Sequence, residues 1–114
     1  MPRPPLLSVI VPVYRSEDIL RETHRRLSET LGSLGPGLEH EIIFINDGSP
    51  DDALEVLRAI AAQDARVRVV SLSRNFGHQI AITAGLDVAR GDAAVIIDDD
   101  LQDPPEAIVG MVEK

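Results

Sequence analysis

The chain has 114 residues, of which 44 % are hydrophobic and 26 % charged, the composition of an ordinary globular domain with its own core. It contains no cysteine, which excludes disulfide frameworks, thiolate zinc sites and cysteine nucleophiles. The formal net charge is −8. Such a surface repels phosphate backbones, so we expect no nucleic-acid partner, and an acidic protein that handles phosphates usually recruits a divalent cation.

Four short apolar runs rich in Val and Ile alternate with helical patterns along the chain. We predict strands over these runs, at residues 6–11, 42–45, 67–72 and 93–97. Their nearly continuous apolar character is typical of strands buried on both faces, as in a parallel sheet.

The segments between the strands have apolar residues at helical spacing. The three predicted stripes are Leu20, Leu27, Leu31 and Leu34; Leu54, Leu57, Ile60 and Ala61; and Ile80, Ala81, Ala84 and Val88. A fourth helix is predicted over 104–114, with Asp103 as its N-cap. The order βαβαβαβα, with right-handed crossovers, predicts an α/β fold: a parallel, Rossmann-like sheet with helices on both faces.

Two features bear on domain organisation. Residues 1–5 are expected to form a disordered lead-in, and residues 6–114 one part of a single domain. The last predicted helix reaches Lys114 without a C-cap glycine or a following turn. We therefore expect the domain to be truncated at 114, and a stop codon after Lys114 in the full-length gene would contradict this.

Ligands of open α/β sheets bind beyond the carboxyl ends of the strands. Polar or unusual residues follow each predicted strand, at 12–14, 46–49, 73–79 and 98–103. The residues at the opposite edge, such as Arg66, Arg68 and Asp92, form no pattern that indicates a site. A ligand site is therefore predicted at the carboxyl edge.

The acid cluster after the fourth strand is the most informative of these segments. If the strand continues, Asp98, Asp100 and Gln102 share one face and Asp99 points away. Two carboxylates and an amide oxygen form an all-oxygen site that suits Mg²⁺ or Mn²⁺ together with a diphosphate. The alternative is a solvated acidic loop that ends in the helix cap Asp103.

The turn after the second strand offers a base contact. Asp47 is placed to accept hydrogen bonds from a base N–H, and Gly48 to supply a positive φ. The alternative is that Asn46 and Asp47 only form the turn. Ser49 is expected to cap the next helix and to have no other role. Tyr14 is open to either stacking on a base or packing.

The chain has neither a G-x-G-x-x-G nor a G-x-x-x-x-G-K-[ST] sequence, so nucleotide binding cannot depend on those glycine cradles. Four of its motifs nevertheless resemble the donor half of the inverting family 2 glycosyltransferases with the GT-A fold, above all the polyprenyl-phosphate glycosyltransferases. These motifs are SVIVPVYRSED, EIIFINDGSPDD, LSRNFGHQIAITAGLDVARGD and VIIDDDLQDPPE.

The resemblance implies a role for each site residue. Those of the nucleotide sugar site are Pro12, Tyr14, Asp47, Asn75, Gly77, Asp98 and Asp99. Pro12, Tyr14 and Asp47 would hold the nucleoside, while Asn75 and Gly77 would line the floor beneath the nucleotide sugar. The metal ligands would be Asp98, Asp100 and Gln102, with Asp100 as the catalytic residue.

Two departures from the family pattern concern these roles. The family often has Asn-Glu-Glu after the tyrosine, where this chain has Arg15-Ser16-Glu17. The chain therefore lacks the first of those acids, which usually makes a nucleoside contact. The common D-A-D is here Asp98-Asp99-Asp100, which adds a charge and should leave the metal geometry intact.

The resemblance implies a metal-dependent hexosyltransferase that moves a sugar, with UDP-glucose weakly preferred, to a polyprenyl phosphate with inversion. It also implies location at the cytoplasmic face of a membrane, membrane contact through segments after Lys114, and a soluble fragment that is inactive alone. Homo-oligomerisation is left open. The alternatives are a family 2 enzyme with a polysaccharide or protein acceptor, an aspartate-nucleophile phosphatase, and a non-catalytic nucleotide-sugar-binding module.

Overall fold

The computed structural model describes residues 4–15, 17–33 and 37–97. Over these residues four strands alternate with three helices: β1 Leu6–Val13, α1 Leu20–Gly32, β2 Glu39–Asn46, α2 Ala53–Gln63, β3 Val67–Ser71, α3 His78–Val88 and β4 Ala93–Ile96. The predicted strands are all present, and β1 and β2 extend beyond the predicted bounds. The helix predicted over 104–114 lies outside the described residues.

The four strands form one parallel sheet in the order β3-β2-β1-β4. The chain moves outward from β1 to β3 and then returns across the sheet to β4. Because the direction of crossover reverses there, a constant right hand places α3 on the face opposite to α1 and α2. Two separate core clusters on the two faces match this arrangement, so the predicted α/β architecture is confirmed.

Both faces of the central strands are buried, which explains their continuous apolar sequence. In β1, Val9 and Val11 pack with α1 and α2 in one cluster, while Ile10 belongs to the other. The α1 residues Leu20, Leu27 and Leu31 are buried as predicted; Leu34 lies outside the described residues.

Helix α3 lies very close to the sheet because its contact residues are small. Ala81 and Gly85, one turn apart, are buried, and a β-carbon at position 85 would lie 2.6 Å from Cγ2 of Ile10. The prediction that Ile80 joins this stripe is wrong, since Ile80 is 51 % exposed. It precedes Ala81 by one residue, about 100° around the helix, and therefore faces away from the sheet.

The edge at the amino ends of the strands carries a buried polar network, whereas the sequence predicted no notable residues there. Glu41 is buried and accepts hydrogen bonds from Ser8 Oγ at 2.6 Å, Arg68 Nη1 at 3.0 Å and the Arg90 backbone N–H at 2.7 Å. Asp92 accepts a bond from the Leu6 N–H at 2.8 Å. This polar network fastens the loop after α3 to the sheet.

At the opposite edge, the carboxyl ends of the strands come together. The switch in strand order falls between β1 and β4, where open α/β sheets place their ligand crevice. Beyond β4 the N–H of Ile97 still bonds to the Ile10 carbonyl at 3.0 Å. Among the described helices, none is long and apolar enough to cross a membrane.

Candidate functional site

The turn after β2 is fixed between its two neighbouring strands. The Asp47 N–H donates to the Val13 carbonyl, and the Leu72 N–H donates to the Asn46 carbonyl, each at 2.9 Å. Asn46 and Asp47 are both only 4 % exposed. This turn therefore lies at the centre of the carboxyl edge and connects the ends of β1 and β3.

The Asp47 carboxylate binds the loop between β3 and α3. Its Oδ1 accepts the Phe76 N–H at 2.9 Å, and its Oδ2 accepts the Gly77 N–H at 3.2 Å and Asn75 Nδ2 at 3.1 Å. The Asn75 amide also donates to the Asp47 carbonyl at 3.2 Å. Three of the predicted site residues are thus brought together, and the base contact predicted for Asp47 stays a prediction.

Gly48 has a φ of 64°, as the sequence predicted. A β-carbon at this position would also overlap the backbone of Arg74 and Asn75. Glycine is required here for two reasons: the left-handed backbone, which is strained for other residues, and the close approach of the next loop.

Ser49 and Asp51 attach the β1–α1 loop to the same turn. Ser49 Oγ accepts the Arg15 N–H at 2.9 Å and donates to Asp51, and Asp51 Oδ2 accepts the Glu17 N–H at 3.3 Å. The prediction that Ser49 caps the next helix is wrong, because α2 begins at Ala53 and the Ala53 N–H bonds to Asp51 Oδ1 at 3.1 Å. Burial alone would raise the pKa of Asp51, but these hydrogen bonds outweigh it and lower the pKa.

Asp51 is a residue that sequence reasoning missed. The signal that could have identified it is its position just before a helix, two residues after a serine and followed by a second aspartate. In such turns an aspartate commonly accepts the backbone N–H two residues ahead, as Asp51 does from Ala53. Its bond to Glu17, 34 residues away, has no local sequence signal.

The nucleoside residues predicted on β1 differ in exposure. Pro12 is buried within the sheet and is paired in register with Ile45. Tyr14 is 39 % exposed, and the Arg15 guanidinium lies 5.2 Å from its ring centroid. Arg15 has a φ of 56°, which is uncommon for a residue other than glycine. Stacking of Tyr14 on a base stays a prediction.

The β3–α3 loop presents a second cation beside an aromatic ring. Phe76 is 37 % exposed, and the Arg74 guanidinium lies 4.7 Å from its ring centroid. Gly77, with a φ of 102°, precedes the first residue of α3. Ser49 bonds to the loop that carries Arg15, and Gly48 contacts the loop that carries Arg74. Because these two residues are consecutive, the two loops meet at one turn. Two guanidinium groups thus lie at the edge where the sequence predicts a diphosphate.

The predicted metal ligands Asp98, Asp100 and Gln102, and the neighbouring Asp99, lie outside the described residues. The chain reaches them from Ile97, which is 2 % exposed at the carboxyl edge beside β1. Over residues 4–15, 17–33 and 37–97, no group of three or more His, Asp or Glu side chains is arranged to hold a metal. Carboxylate and amide oxygens suit Mg²⁺ or Mn²⁺, so the acid cluster fits a cation by its donor chemistry.

Comparison with curated proteins finds close relatives. The chain is 51 % identical over 94 % of its length to the uncharacterized glycosyltransferase YkcC of Bacillus subtilis. It is 44 % identical over 96 % of its length to an undecaprenyl-phosphate 4-deoxy-4-formamido-L-arabinose transferase of Pseudomonas paraeruginosa, and over 95 % to a bactoprenol glucosyl transferase of Shigella phage SfV. It spans 32 %, 32 % and 34 % of these three proteins.

Solved structures share the fold. The mannosyltransferase PcManGT from Pyrobaculum calidifontis, in complex with GDP-Man and Mn²⁺, matches with a TM-score of 0.72 at 24 % identity, over 88 % of this chain and 30 % of that one. TarS 1–349 of S. aureus in complex with UDP-GlcNAc matches with a TM-score of 0.69 at 26 % identity, over 82 % and 26 %.

These likenesses agree with the match to a family model. The model described as glycosyl transferase family 2 covers residues 8–114. It therefore includes the turn at Asp47, the loop at Asn75–Gly77 and the acid cluster. The chain belongs to glycosyl transferase family 2.

Proposed function

We propose that this chain is the donor-binding part of an enzyme that transfers a sugar from a nucleotide diphosphate sugar to a polyprenyl phosphate. The observation that carries the proposal is the 44 % identity, over almost the whole chain, to the undecaprenyl-phosphate and bactoprenol transferases. The arrangement of the loops that meet at Asp47, Gly48 and Ser49 supports it, because those predicted donor residues that the structure describes lie at one edge of the sheet.

The donor would lie across the crevice between β1 and β4. Tyr14 would stack on the base, and Asn75 and Gly77 would line the floor beneath the nucleotide sugar. Arg15 and Arg74, whose guanidinium groups lie beside the rings of Tyr14 and Phe76, would supply positive charge to the diphosphate. This charge matters because the protein as a whole is acidic, at −8, and would otherwise repel the donor.

Asp98, Asp100 and Gln102 would hold Mg²⁺ or Mn²⁺ together with the donor diphosphate. The cation, when bound, would act as a Lewis acid on the leaving diphosphate and as a template for its orientation. Asp99 would remain at the margin of the nucleotide sugar site. We expect Asp100→Asn to lower the turnover number by at least about tenfold, since it removes one carboxylate from the cation.

The acceptor needs little chemical activation. A lipid phosphate is already an anion near neutral pH, so one of its oxygens can attack the anomeric carbon without a general base. The bond from that oxygen to the anomeric carbon forms as the bond to the donor diphosphate breaks, and attack from the opposite face inverts the configuration. Positioning of the two substrates then supplies most of the rate enhancement.

The lipid acceptor places the enzyme at a membrane. We propose that the full-length protein works at the cytoplasmic face and contacts the membrane through segments after Lys114.

A transfer assay tests the acceptor. The purified full-length protein is incubated with labelled UDP-glucose or GDP-mannose, Mn²⁺, and either undecaprenyl phosphate or soluble oligosaccharides and peptides. We expect label in the lipid extract with one donor, and an anomeric configuration opposite to that of the donor by NMR. Label in oligosaccharide or peptide but not in lipid would support the other acceptors instead.

A further inference from the structure

We propose that Ser8 and Asp92 are positioning residues, which fix the register of β4 against β1 and so decide which acids after β4 face the donor. Both lie at the amino edge of the sheet, and Asp92 precedes Asp98 by about 20 Å of extended strand. The structural part, the register of β4, is independent of the function proposed above. Its consequence for cation binding rests on that function.

The strand β4 specifies its own register only weakly. It is four residues long, Ala93–Ile96, and all of them but Val95 are exposed. Among the described strands, β4 pairs with β1 alone. Ile97 is buried in the core, but a shift of one residue toward the carboxyl end would put Ile96, the same side chain, in its place. A strand whose two faces are alike in apolar character is prone to such slippage.

The chain just before β4 is held by three consecutive backbone N–H groups. These groups donate in turn to Glu41 Oε2 at 2.7 Å, Ser8 Oγ at 2.9 Å and the Leu6 carbonyl at 2.7 Å, from Arg90, Gly91 and Asp92 respectively. The Asp92 carboxylate accepts the Leu6 N–H at 2.8 Å in return. Because every partner lies on β1 or β2, a shift of one residue would misalign all four bonds.

Ser8 is the centre of this arrangement. It is fully buried, and its hydroxyl donates to Glu41 Oε2 at 2.6 Å while it accepts the Gly91 N–H. A β-carbon at position 91 would lie 2.4 Å from Ser8 Oγ and 2.8 Å from the Leu6 carbonyl oxygen. The place beside Ser8 therefore admits only glycine, and a shift that brought Asp92 there would produce a clash with main-chain atoms.

The observed register determines the face to which each residue of β4 points. Val95 and Ile97 belong to the core on the side of α1 and α2. Ile96 is paired with Ile10, whose side chain packs on the side of α3. Even-numbered residues of β4 therefore point to the α3 side of the sheet, and odd-numbered residues point to the other side.

These faces decide which oxygen atoms a cation would meet. If the strand continues, the α3 side receives two carboxylates and an amide oxygen, those of Asp98, Asp100 and Gln102. A shift of one residue would bring a single carboxylate there between two apolar side chains, those of Ile97, Asp99 and Leu101. Because Mg²⁺ and Mn²⁺ are held by several oxygen ligands, the shifted register would not hold the cation.

Hydrogen–deuterium exchange of the full-length protein, without donor or cation, tests the register. The Ile97 N–H bonds to the Ile10 carbonyl at 3.0 Å and reports on the far end of β4. We expect Ser8→Ala and Asp92→Ala each to speed its exchange by at least about tenfold. Asp92→Asn retains an acceptor oxygen for the Leu6 N–H and should exchange like wild type.

Asp64 provides the matched control for exchange. It also accepts a backbone N–H at the amino edge, that of Arg66 at 3.0 Å, but it does so next to β3. Asp64→Ala should therefore leave the exchange of Ile97 unchanged. Unchanged exchange of Ile97 in both Ser8→Ala and Asp92→Ala would overturn the proposal, whether or not the protein binds a cation or transfers sugar.

Calorimetry separates a change of register from a general loss of stability. The full-length double variant Ser8→Ala/Asp92→Ala is titrated with whichever of UDP-glucose and GDP-mannose binds wild type, with and without Mn²⁺. We expect at least about a threefold loss of affinity with Mn²⁺, since the molecules in the shifted register do not bind the cation. Without Mn²⁺ the affinity should equal that of wild type. An equal loss with and without Mn²⁺, or the same loss in Asp64→Ala, would show a general effect on stability and overturn the positioning role.

Discussion

Gly48 shows how a single residue decides the geometry of the carboxyl edge. Its φ of 64° and its contact with the backbone of Arg74 and Asn75 are two independent reasons why this position requires glycine. Any side chain would strain the turn and also push the β3–α3 loop away. The turn and the loop therefore have to change together.

We expect Gly48→Ala to lower the free energy of unfolding by about 2–4 kcal/mol, since backbone strain and a clash against main-chain atoms add. Gly32→Ala is the control, because a β-carbon at position 32 would have no neighbour within 4 Å. It should leave stability unchanged or raise it by up to about 1 kcal/mol, through helix propensity at the end of α1. Urea unfolding measures both, and equal effects of the two substitutions would count against the proposed clash.

Helix α3 is the element that joins the core to the site. It is held against the sheet by small residues in its middle, and by Asp47 and Glu41 near its two ends. These contacts place the first turn of α3, next to Asn75–Gly77, relative to the sheet.

Gly85→Ala tests the close packing of α3. Its β-carbon would meet Ile10, which is fully buried and has little room to move. We expect a loss of about 1–3 kcal/mol in the free energy of unfolding, the usual cost of overpacking. An unchanged unfolding midpoint would show that α3 lies further from β1 than described.

The Glu41 network makes the stability of the contact between the end of α3 and the sheet depend on pH. Burial alone would raise the pKa of Glu41, but hydrogen bonds from Ser8, the Arg90 N–H and Arg68 outweigh it and lower the pKa below its ordinary value of 4.5. A lowered pKa in the folded state means that this stabilisation is present above about pH 4.5 and is lost as the pH falls below it.

We therefore expect Glu41→Gln to be less stable than wild type at pH 7, by about 1–3 kcal/mol. The difference should shrink as the pH falls below 4.5, because Glu41 is then protonated in the unfolded chain, and at still lower pH also in the folded protein. Thermal unfolding at a series of pH values measures this. A difference that stays constant from pH 7 to pH 3 would show that the charge of Glu41 does not matter.

At the scale of the molecule, the features predicted correctly from the sequence are those that depend on the local pattern of residues. The Val- and Ile-rich runs predicted all four strands, and the N-D-G-S turn predicted the positive φ at Gly48. What it did not predict are contacts between residues far apart in the chain. Ser49 looks like a helix cap because its local sequence is cap-like, yet its hydroxyl accepts the N–H of Arg15, 34 residues away. The buried role of Glu41 depends on Ser8 and Arg90 in the same way.

The acid cluster is the part of the proposed site that is inferred from the sequence alone, because it lies outside the described residues. Its donors, Asp98, Asp100 and Gln102, follow a strand whose end is fixed by the bond from Ile97 to Ile10. Strand alternation and ligand chemistry are the two arguments for a cation there. Asp103, the predicted helix cap, provides a neighbouring carboxylate with no expected role in metal binding.

Calorimetry of donor binding to the full-length protein tests this central claim most directly. UDP-glucose and GDP-mannose are titrated with and without Mn²⁺, into wild type, Asp100→Asn and the control Asp103→Asn. We predict that one donor binds with Mn²⁺, that its affinity falls at least about tenfold without the cation or in Asp100→Asn, and that Asp103→Asn binds like wild type. Binding that is independent of Mn²⁺, or unchanged in Asp100→Asn, would contradict a metal-dependent donor site at the acid cluster.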